Sequence, residues 1–293
     1  MSSALAWIRS ARLASQSYIA LPIWLGMGLC YAHTRQLLPW ETGLLVAFGI
    51  FDQLYIVWGN DLADQETDRH NQTATIFSGG SRVLVEGALS PAAIGRAWAL
   101  AAAGVTAVSL ALAGLRSSLW PALLGAAALL LLWLYSYPPV RLSYRGGGEL
   151  LQMLGVGLVL PILGFVAQGG ALAELRVDVV LAMLPGQLAC AIATTLPDEP
   201  SDRGSNKRTV AVRLGVRGAA LLSSGLAALS LGLASRTGLV PGALSLGLGA
   251  VLVSQLSLHR ARPGSFELSA RVFLLLTAVL GTEAALVYAL FSG

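Results

Sequence analysis

Continuous apolar runs constrain this chain more than any other feature. Leu119–Tyr135 and Leu150–Ala167 contain no charged residue, and each approaches the ~20 residues that cross the hydrocarbon core of a bilayer as a helix. Lipid offers no hydrogen bonds to the backbone, so such a run must satisfy its own amides as a helix or in a closed barrel. The runs are unbroken rather than alternating, which excludes the barrel. Only 12% of the 293 residues are charged and 55% are hydrophobic, against about 25% charged in soluble domains. The expected fold class is an all-α integral membrane protein, a single domain over residues 1–293.

Nine spans are predicted, roughly 16–34, 43–59, 94–115, 118–136, 150–168, 179–197, 218–235, 239–258 and 272–291. The basic residues support the count. Of the 19 lysines and arginines, all but Arg35, Arg116, Arg176 and Arg236 fall before span one or in, or at the edge of, the loops that follow even-numbered spans. The positive-inside rule then places the N-terminus and those loops in the cytoplasm. The net charge of +4 thus reflects topology and not a nucleic-acid surface. Arg9 and Arg12 before an apolar stretch imitate a signal peptide, but its removal would disturb the odd span count. Trp7, Ile8 and Leu13 suggest instead a short interfacial helix. Two cysteines, both inside spans, and three scattered histidines give neither a disulfide framework nor a zinc spacing.

Two loops on the basic side carry unusual acid. "GNDLADQETDRHN", Gly59–Asn71, gathers Asp61, Asp64, Glu66 and Asp68 at the end of span two. If that span continues as a helix, Asn60, Asp64 and Asp68 recur at i, i+4 and i+8 with Asp61 beside them, while Glu66 turns away. Like charges at this spacing destabilise a helix by a few tenths of a kcal/mol per pair, and more near a membrane. A divalent cation removes the conflict, and Mg²⁺ commonly uses one or two carboxylates completed by substrate phosphates and water.

After span six, "LPDEPSDRGSNKRTVAVRLG" places Asp198 and Asp202 at i, i+4. Pro200 cannot donate within a continuing helix, so a broken helix end is predicted. Lys207 is the only lysine in the chain, a compact charge suited to phosphate, and Arg208 adjoins it. Two acidic clusters and a cationic tail on one membrane face fit a diphosphate held through metal ions. Glu66, Glu86 and Glu199 read as solvated loop acids. The D-x-[DN]-x-[DN]-G order of a calcium-binding loop is absent. Asp52 is unexpected in an apolar span, and intramembrane acids are functional suspects.

"NDLADQETD" resembles the N-D-x-x-D-x-x-x-D signature of the UbiA superfamily of membrane prenyltransferases, and "DEPSD" resembles its second D-x-x-x-D. "YSYPPVRLSYRGGGE" is similar to the family's Tyr/Pro/Arg loop. The resemblance implies Mg²⁺-dependent transfer of a polyprenyl group from its diphosphate to an acceptor, usually aromatic, inside a bundle open to membrane lipid. It implies a first metal–diphosphate site at Asn60, Asp61, Asp64 and Asp68, and a second at Asp198 and Asp202. Asp61, Asp64, Asp198 and Asp202 would be catalytic, and Lys207, Arg208, Arg145 and Tyr144 would bind the diphosphate; Asp52, as an intramembrane acid, would either touch the acceptor or pair with a buried arginine. "SGGSRVLVEGALSP" and "KRTVAVRLG" resemble stretches of the 1,4-dihydroxy-2-naphthoate prenyltransferase group of menaquinone synthesis, although Asn206 stands where a glycine commonly precedes the lysine. Another phenol, such as 4-hydroxybenzoate or homogentisate, or cyclisation of the prenyl chain itself, remains open. An ion-coupled transporter would carry its acids near mid-bilayer, and a CDP-alcohol phosphotransferase would need a D-G-x-x-A-R stretch that "DQETDRHN" lacks.

Overall fold

The computed structural model describes residues 3–71, 80–240, 242, 244, 245, 248, 249, 252, 262 and 265–293. The described residues form helices joined by turns, with no strand among them. A short helix α1 (Ser3–Ser10) and a 3₁₀ turn precede α2 (Gln16–Thr34). Then come α3 (Pro39–Ala63), α4 (Gln65–His70), α5 (Pro91–Arg116), α6 (Trp120–Ser136) and α7 (Leu142–Arg145). The fifth predicted span is α8 (Gly148–Leu154) and α9 (Leu160–Ala167), joined by a π turn at Gly155–Val159. The chain continues through α10 (Val177–Thr195), α11 (Glu199–Gly204), α12 (Val210–Arg236) and α13 (Phe266–Ser292).

Seven segments are long and apolar enough to cross a membrane, the first running from Ser3 to Thr34, and α6 is a shorter apolar helix. These match eight of the nine predicted spans; twelve of the 20 residues of span 239–258 lie outside the described residues. Leu100, Leu110, Leu181 and Phe273 present bare apolar surface outward, which in water would be a liability and in lipid is the natural boundary of a multi-pass membrane protein.

The sequence sets the helix ends. Ser90 and Thr209 accept from the amides of Ala93 and Val212 at the starts of α5 and α12, satisfying donors that have no partner within the helix. Packing neighbours run α2, α3, α5, α6, α8, α10, α12, α13 and back to α2, with α9 against α2. The α2–α9 contact is backbone on backbone: a Cβ on Gly26 would lie 1.9 Å from the Pro161 carbonyl oxygen, and one on Gly164 would lie 2.3 Å from that of Ile23. Small residues permit such approach where lipid supplies no hydrophobic drive between helices.

Candidate active site

Both acidic stretches stand where a long helix stops. Helix α3 does not continue through the first stretch as the i, i+4, i+8 reading requires. It ends at Ala63, Asp64 takes φ −101° and ψ 7°, and α4 restarts at Gln65. Asp64 and Asp61 consequently meet different partners. Asp64 is 8% exposed; its Oδ1 accepts from the Tyr144 hydroxyl at 2.9 Å and its Oδ2 from Lys207 Nζ at 2.9 Å. Asp61 is bound by the Arg12 guanidinium and the Ser81 hydroxyl. A Cβ on Gly80, which sits at φ +75°, would come 2.6 Å from Asp68 Oδ2 and 3.4 Å from Asp61 Oδ1, so Asp68 approaches Asp61 across that glycine.

The second stretch breaks as Pro200 predicts, with α10 ending at Thr195 and α11 taking Pro200 in its first turn. Asp198 and Asp202 lie one turn apart, and the Asp202 amide donates to the Asp198 carbonyl at 2.8 Å. Asp202 Oδ2 accepts from Thr209 Oγ1 at 3.4 Å, and Asp198 Oδ1 from Asn71 Nδ2 at 3.3 Å. Asn71 and Lys207 thereby join the two stretches, since Lys207 Nζ also lies 3.7 Å from Asp202 Oδ1.

Asn206 makes this reach possible. It holds φ 57°, a left-handed conformation that suits glycine and that asparagine tolerates better than most residues. The chain turns back there, and the Lys207 amide donates to the Asp202 carbonyl at 2.9 Å. The glycine expected before the lysine and the asparagine found here answer the same backbone demand.

The Tyr144 ring is bracketed by charge, with Arg141 Cζ 3.5 Å from its centroid and Lys207 Nζ 5.1 Å away; both approaches fall within cation–π range. Its hydroxyl lies 2.6 Å from Thr67 Oγ1, so Thr67 donates while Tyr144 donates onward to Asp64. Arg141 Nη2 also donates to the Ala63 carbonyl at 3.2 Å, holding the last turn of α3. A cavity of about 420 Å³ opens here, lined by Glu66, Thr67, Arg141, Tyr144, Pro200, Ser201, Gly204 and Ser205. That volume falls in the ~300–1,000 Å³ range of small-molecule sites.

The electrostatics follow from burial and crowding. Desolvation, then the charges of Asp64 and Asp61, push the Asp68 carboxyl up to about 7. Desolvation also pushes Asp202 up to about 7; Lys207 opposes it, and Asp198 and Asp64 add to it. Burial alone would lower Lys207, but Asp64 and Asp202 more than reverse this and hold it above its ordinary value. Buried Asn60 Oδ1 has no hydrogen-bond partner. Crowded carboxylates, one unmatched amide oxygen and no soft ligand among them make a hard-oxygen donor set that suits Mg²⁺. Among the described residues no three Asp, Glu, His or Cys side chains converge to hold an ion alone.

Arg145 and Arg208 are exposed. The Arg145 carbonyl accepts from Arg213 at 2.9 Å, and the Arg208 amide donates to the Tyr144 carbonyl at 3.1 Å. Their backbones hold the turns around Tyr144, and Arg141 brings its guanidinium to the Tyr144 ring. Asp52 is 2% exposed with no partner for Oδ1. Glu66 is exposed and pairs with Arg69 at 3.2 Å. Glu199, read above as solvated, is 8% exposed and accepts from Arg203 Nε at 2.8 Å. Arg12, Thr67, Asn71, Ser81 and Arg141 were not singled out as site residues. The stretch Ser78–Pro91 flagged Ser81 only as part of a resemblance, and Arg12 read as one more loop anchor.

Comparison with known proteins gives the same picture. A 1,4-dihydroxy-2-naphthoate octaprenyltransferase from Mycobacterium leprae (strain TN) is 28% identical over 222 residues, 73% of this chain and 71% of the relative. A UbiA homologue from Aeropyrum pernix K1 superposes with a TM-score of 0.67 at 18% identity, over 94% of this chain and 97% of that one. A UbiA homologue from Archaeoglobus fulgidus, bound to GPP and Mg²⁺, superposes with a TM-score of 0.65 at 16% identity, over 98% of this chain and all of that one. The pattern of the UbiA prenyltransferase family matches residues 19–289, so the chain belongs to that family and is a prenyltransferase.

Proposed function

We propose that the protein transfers a polyprenyl group from an allylic diphosphate to an aromatic acceptor, in an Mg²⁺-dependent reaction, with 1,4-dihydroxy-2-naphthoate as the acceptor in menaquinone synthesis. The observation that carries this reading is the placement of Lys207 between Asp64 and Asp202, which joins the two acidic stretches. The naphthoate relative supports the acceptor, and the Mg²⁺- and GPP-bound homologue supports the donor.

Asn60, Asp64, Asp68, Asp198 and Asp202 would hold Mg²⁺, which supplies electrostatic stabilisation of the departing diphosphate. Lys207 binds phosphate oxygens as a point charge. The Tyr144 hydroxyl fixes the orientation of Asp64, and Arg141 fixes the ring of Tyr144. As the bond between the prenyl C1 and its oxygen breaks, negative charge grows on the diphosphate, where this cationic cluster is already in place. The allylic cation is left on the apolar side, away from bulk water, and the acceptor ring carbon attacks it and then loses its proton. Asp52 lies eight residues before Asn60 on α3, about 12 Å along the axis. An acceptor hydroxyl would give its orphaned oxygen the partner it lacks.

Membranes carrying the protein are incubated with Mg²⁺, a labelled prenyl diphosphate and a panel of phenols and naphthoates. Prenylated dihydroxynaphthoate is the expected product. Another prenylated phenol would overturn the acceptor alone; a labelled hydrocarbon formed without acceptor would overturn transfer in favour of cyclisation. Asp64→Ala and Asp198→Ala should each abolish Mg²⁺-dependent turnover while the bundle stays folded, and full activity in either would sink the assignment.

A further inference from the structure

We propose that Arg12 and Asp61 form a positioning pair that docks the N-terminal helix onto the first acidic stretch, so that Asp61 orders the site instead of donating to a metal. The inference rests on the prenyl-transfer reading for its consequence in turnover, and on geometry alone for the pairing.

Asp61 is 4% exposed and, like Asp64, has both oxygens engaged, but by the N-terminal segment and Ser81 rather than by Tyr144 and Lys207. Oδ1 meets the Arg12 guanidinium and lies 3.5 Å from the Ser81 amide, while Oδ2 takes the Ser81 hydroxyl. Asp64, three residues on, points to Tyr144 and Lys207 instead. One stretch of sequence thus serves two sides, and only one of them carries the cavity.

Arg12 is delivered by a built structure. It sits at φ 45°, a conformation that few non-glycine residues adopt and that persists where surrounding contacts enforce it. Helix α1 is fixed on the same patch. Trp7 packs edge-on against Trp58 with centroids 5.7 Å apart, and Trp58 Nε1 donates to Ser10 Oγ at 3.0 Å. Arg9 donates to the Ser81 carbonyl at 2.8 Å and pairs with Glu86 at 2.9 Å. Beneath these polar contacts Ala6, Val83, Leu84, Leu89 and Ile94 form a buried apolar cluster apart from the main core.

The pair reaches the site through Gly80. A Cβ there would stand 3.4 Å from Arg12 Nη2 and 2.6 Å from Asp68 Oδ2. Arg82 closes the same turn, donating to the carbonyls of Asp68 and Asn71, each at 3.3 Å. Arg12, Asp61, Ser81 and Arg82 therefore decide where α4 ends, and with it where Asp68 and Asn71 stand. Misplacing a reacting group by about 1 Å can cost on the order of a hundredfold in rate.

The test uses the full chain in lipid nanodiscs with Asp61→Asn, Arg12→Gln, the double variant and Arg12→Lys. Three quantities are measured: Mn²⁺ binding in the presence of a non-hydrolysable prenyl diphosphate analogue, hydrogen exchange of residues 81–89, and kcat with its Mg²⁺ dependence. Asp61→Asn and Arg12→Gln should each lower kcat by on the order of a hundredfold, with Mn²⁺ affinity and Mg²⁺ dependence shifted to the same extent in both. Exchange at 81–89 should rise equally in both, the double variant should be no worse than either single, and Arg12→Lys should recover much of the loss. Loss of Mn²⁺ binding in Asp61→Asn but not in Arg12→Gln would make Asp61 a ligand and overturn the proposal. Independent, multiplying effects on exchange would overturn it as well. If the wild type transfers no prenyl group, the function reading fails, yet the exchange and double-variant comparisons still decide the pairing. A variant that does not fold is replaced by Ser81→Ala, which should raise the same exchange; unchanged exchange there counts against the proposal.

Discussion

Lys207 Nζ lies 2.9 Å from Asp64 Oδ2, across 143 residues of sequence. Both partners are largely withdrawn from water, with side-chain exposures of 11% and 12%. Removing one member of a buried pair leaves the other uncompensated, at a cost of about 3–5 kcal/mol. Lys207→Met should therefore lower thermal stability and raise KM for the prenyl diphosphate by roughly tenfold or more, leaving KM for the acceptor near its wild-type value. Steady-state kinetics with each substrate varied in turn checks this.

Tyr144→Phe keeps the ring between Arg141 and Lys207 and removes only the hydroxyl that meets Asp64 and Thr67. Hydrogen bonds to charged groups contribute about 1.5–3 kcal/mol, equivalent to roughly ten- to hundredfold in rate if fully expressed in the transition state. We expect a fall in kcat of that order with little change in melting temperature. An unchanged kcat would remove Tyr144 from the machinery and leave it as packing.

Much of the site was legible because its motifs are local. Asn60, Asp64 and Asp68, the Asp198–Asp202 pair and the lone lysine all stand out by residue type and spacing, and the fold brings them to one end of the bundle. Spacing could not show that α3 stops at Ala63, because a helix through Asp68 satisfies the same i, i+4 arithmetic. The family resemblance points to Arg145, whereas Arg141, four residues earlier in the same loop and turned at φ 48°, brings its guanidinium to Tyr144. The Arg12–Asp61 contact joins residues 49 positions apart, and no local pattern announces it. Twelve of the 20 residues of span 239–258 lie outside the described residues.

Asn206 tests whether backbone conformation or side-chain chemistry governs the turn before Lys207. Asn206→Gly should preserve activity and stability, since glycine adopts φ 57° without strain. Asn206→Val should cost about 1–2 kcal/mol and pull Lys207 from Asp202, raising KM for the diphosphate. Thermal melts and kinetics of the two variants together give the answer; equal damage in both would assign the role to the asparagine amide.

Gly26 is where α2 and α9 touch backbone to backbone. Even one methyl would lie 1.9 Å from the Pro161 carbonyl oxygen, which no side-chain rotation relieves. Gly26→Val should separate the two helices and destabilise the bundle by about 1–3 kcal/mol or more. Gly43→Val, at a position with open space around it, serves as the control. Detergent melting curves of both variants measure the difference.

The sidedness expected from the basic residues has a counterpart in the fold. Arg35 caps α2, Arg116 ends α5, Arg176 precedes α10 and Arg236 ends α12. Those ends are tied to one another: Arg116 pairs with Glu41 at 3.5 Å, Gln168 accepts from the Leu38 amide at 2.8 Å, and Arg176 reaches the Thr237 carbonyl at 3.4 Å. The opposite ends carry Arg9, Arg12, Arg82, Arg141, Arg203 and Lys207 together with both acidic stretches. The positive-inside rule predicts that this richer end faces the cytoplasm, the side on which a soluble acceptor and free Mg²⁺ would reach the site. Cys30 and Cys190 are buried, so exposed single cysteines can be introduced against a low background. Ser3→Cys should resist a membrane-impermeant thiol reagent in intact cells and react after permeabilisation, whereas Glu174→Cys should react in intact cells. The reverse pattern would invert the protein in the membrane and leave the site facing outward, where the proposed substrates would not meet it.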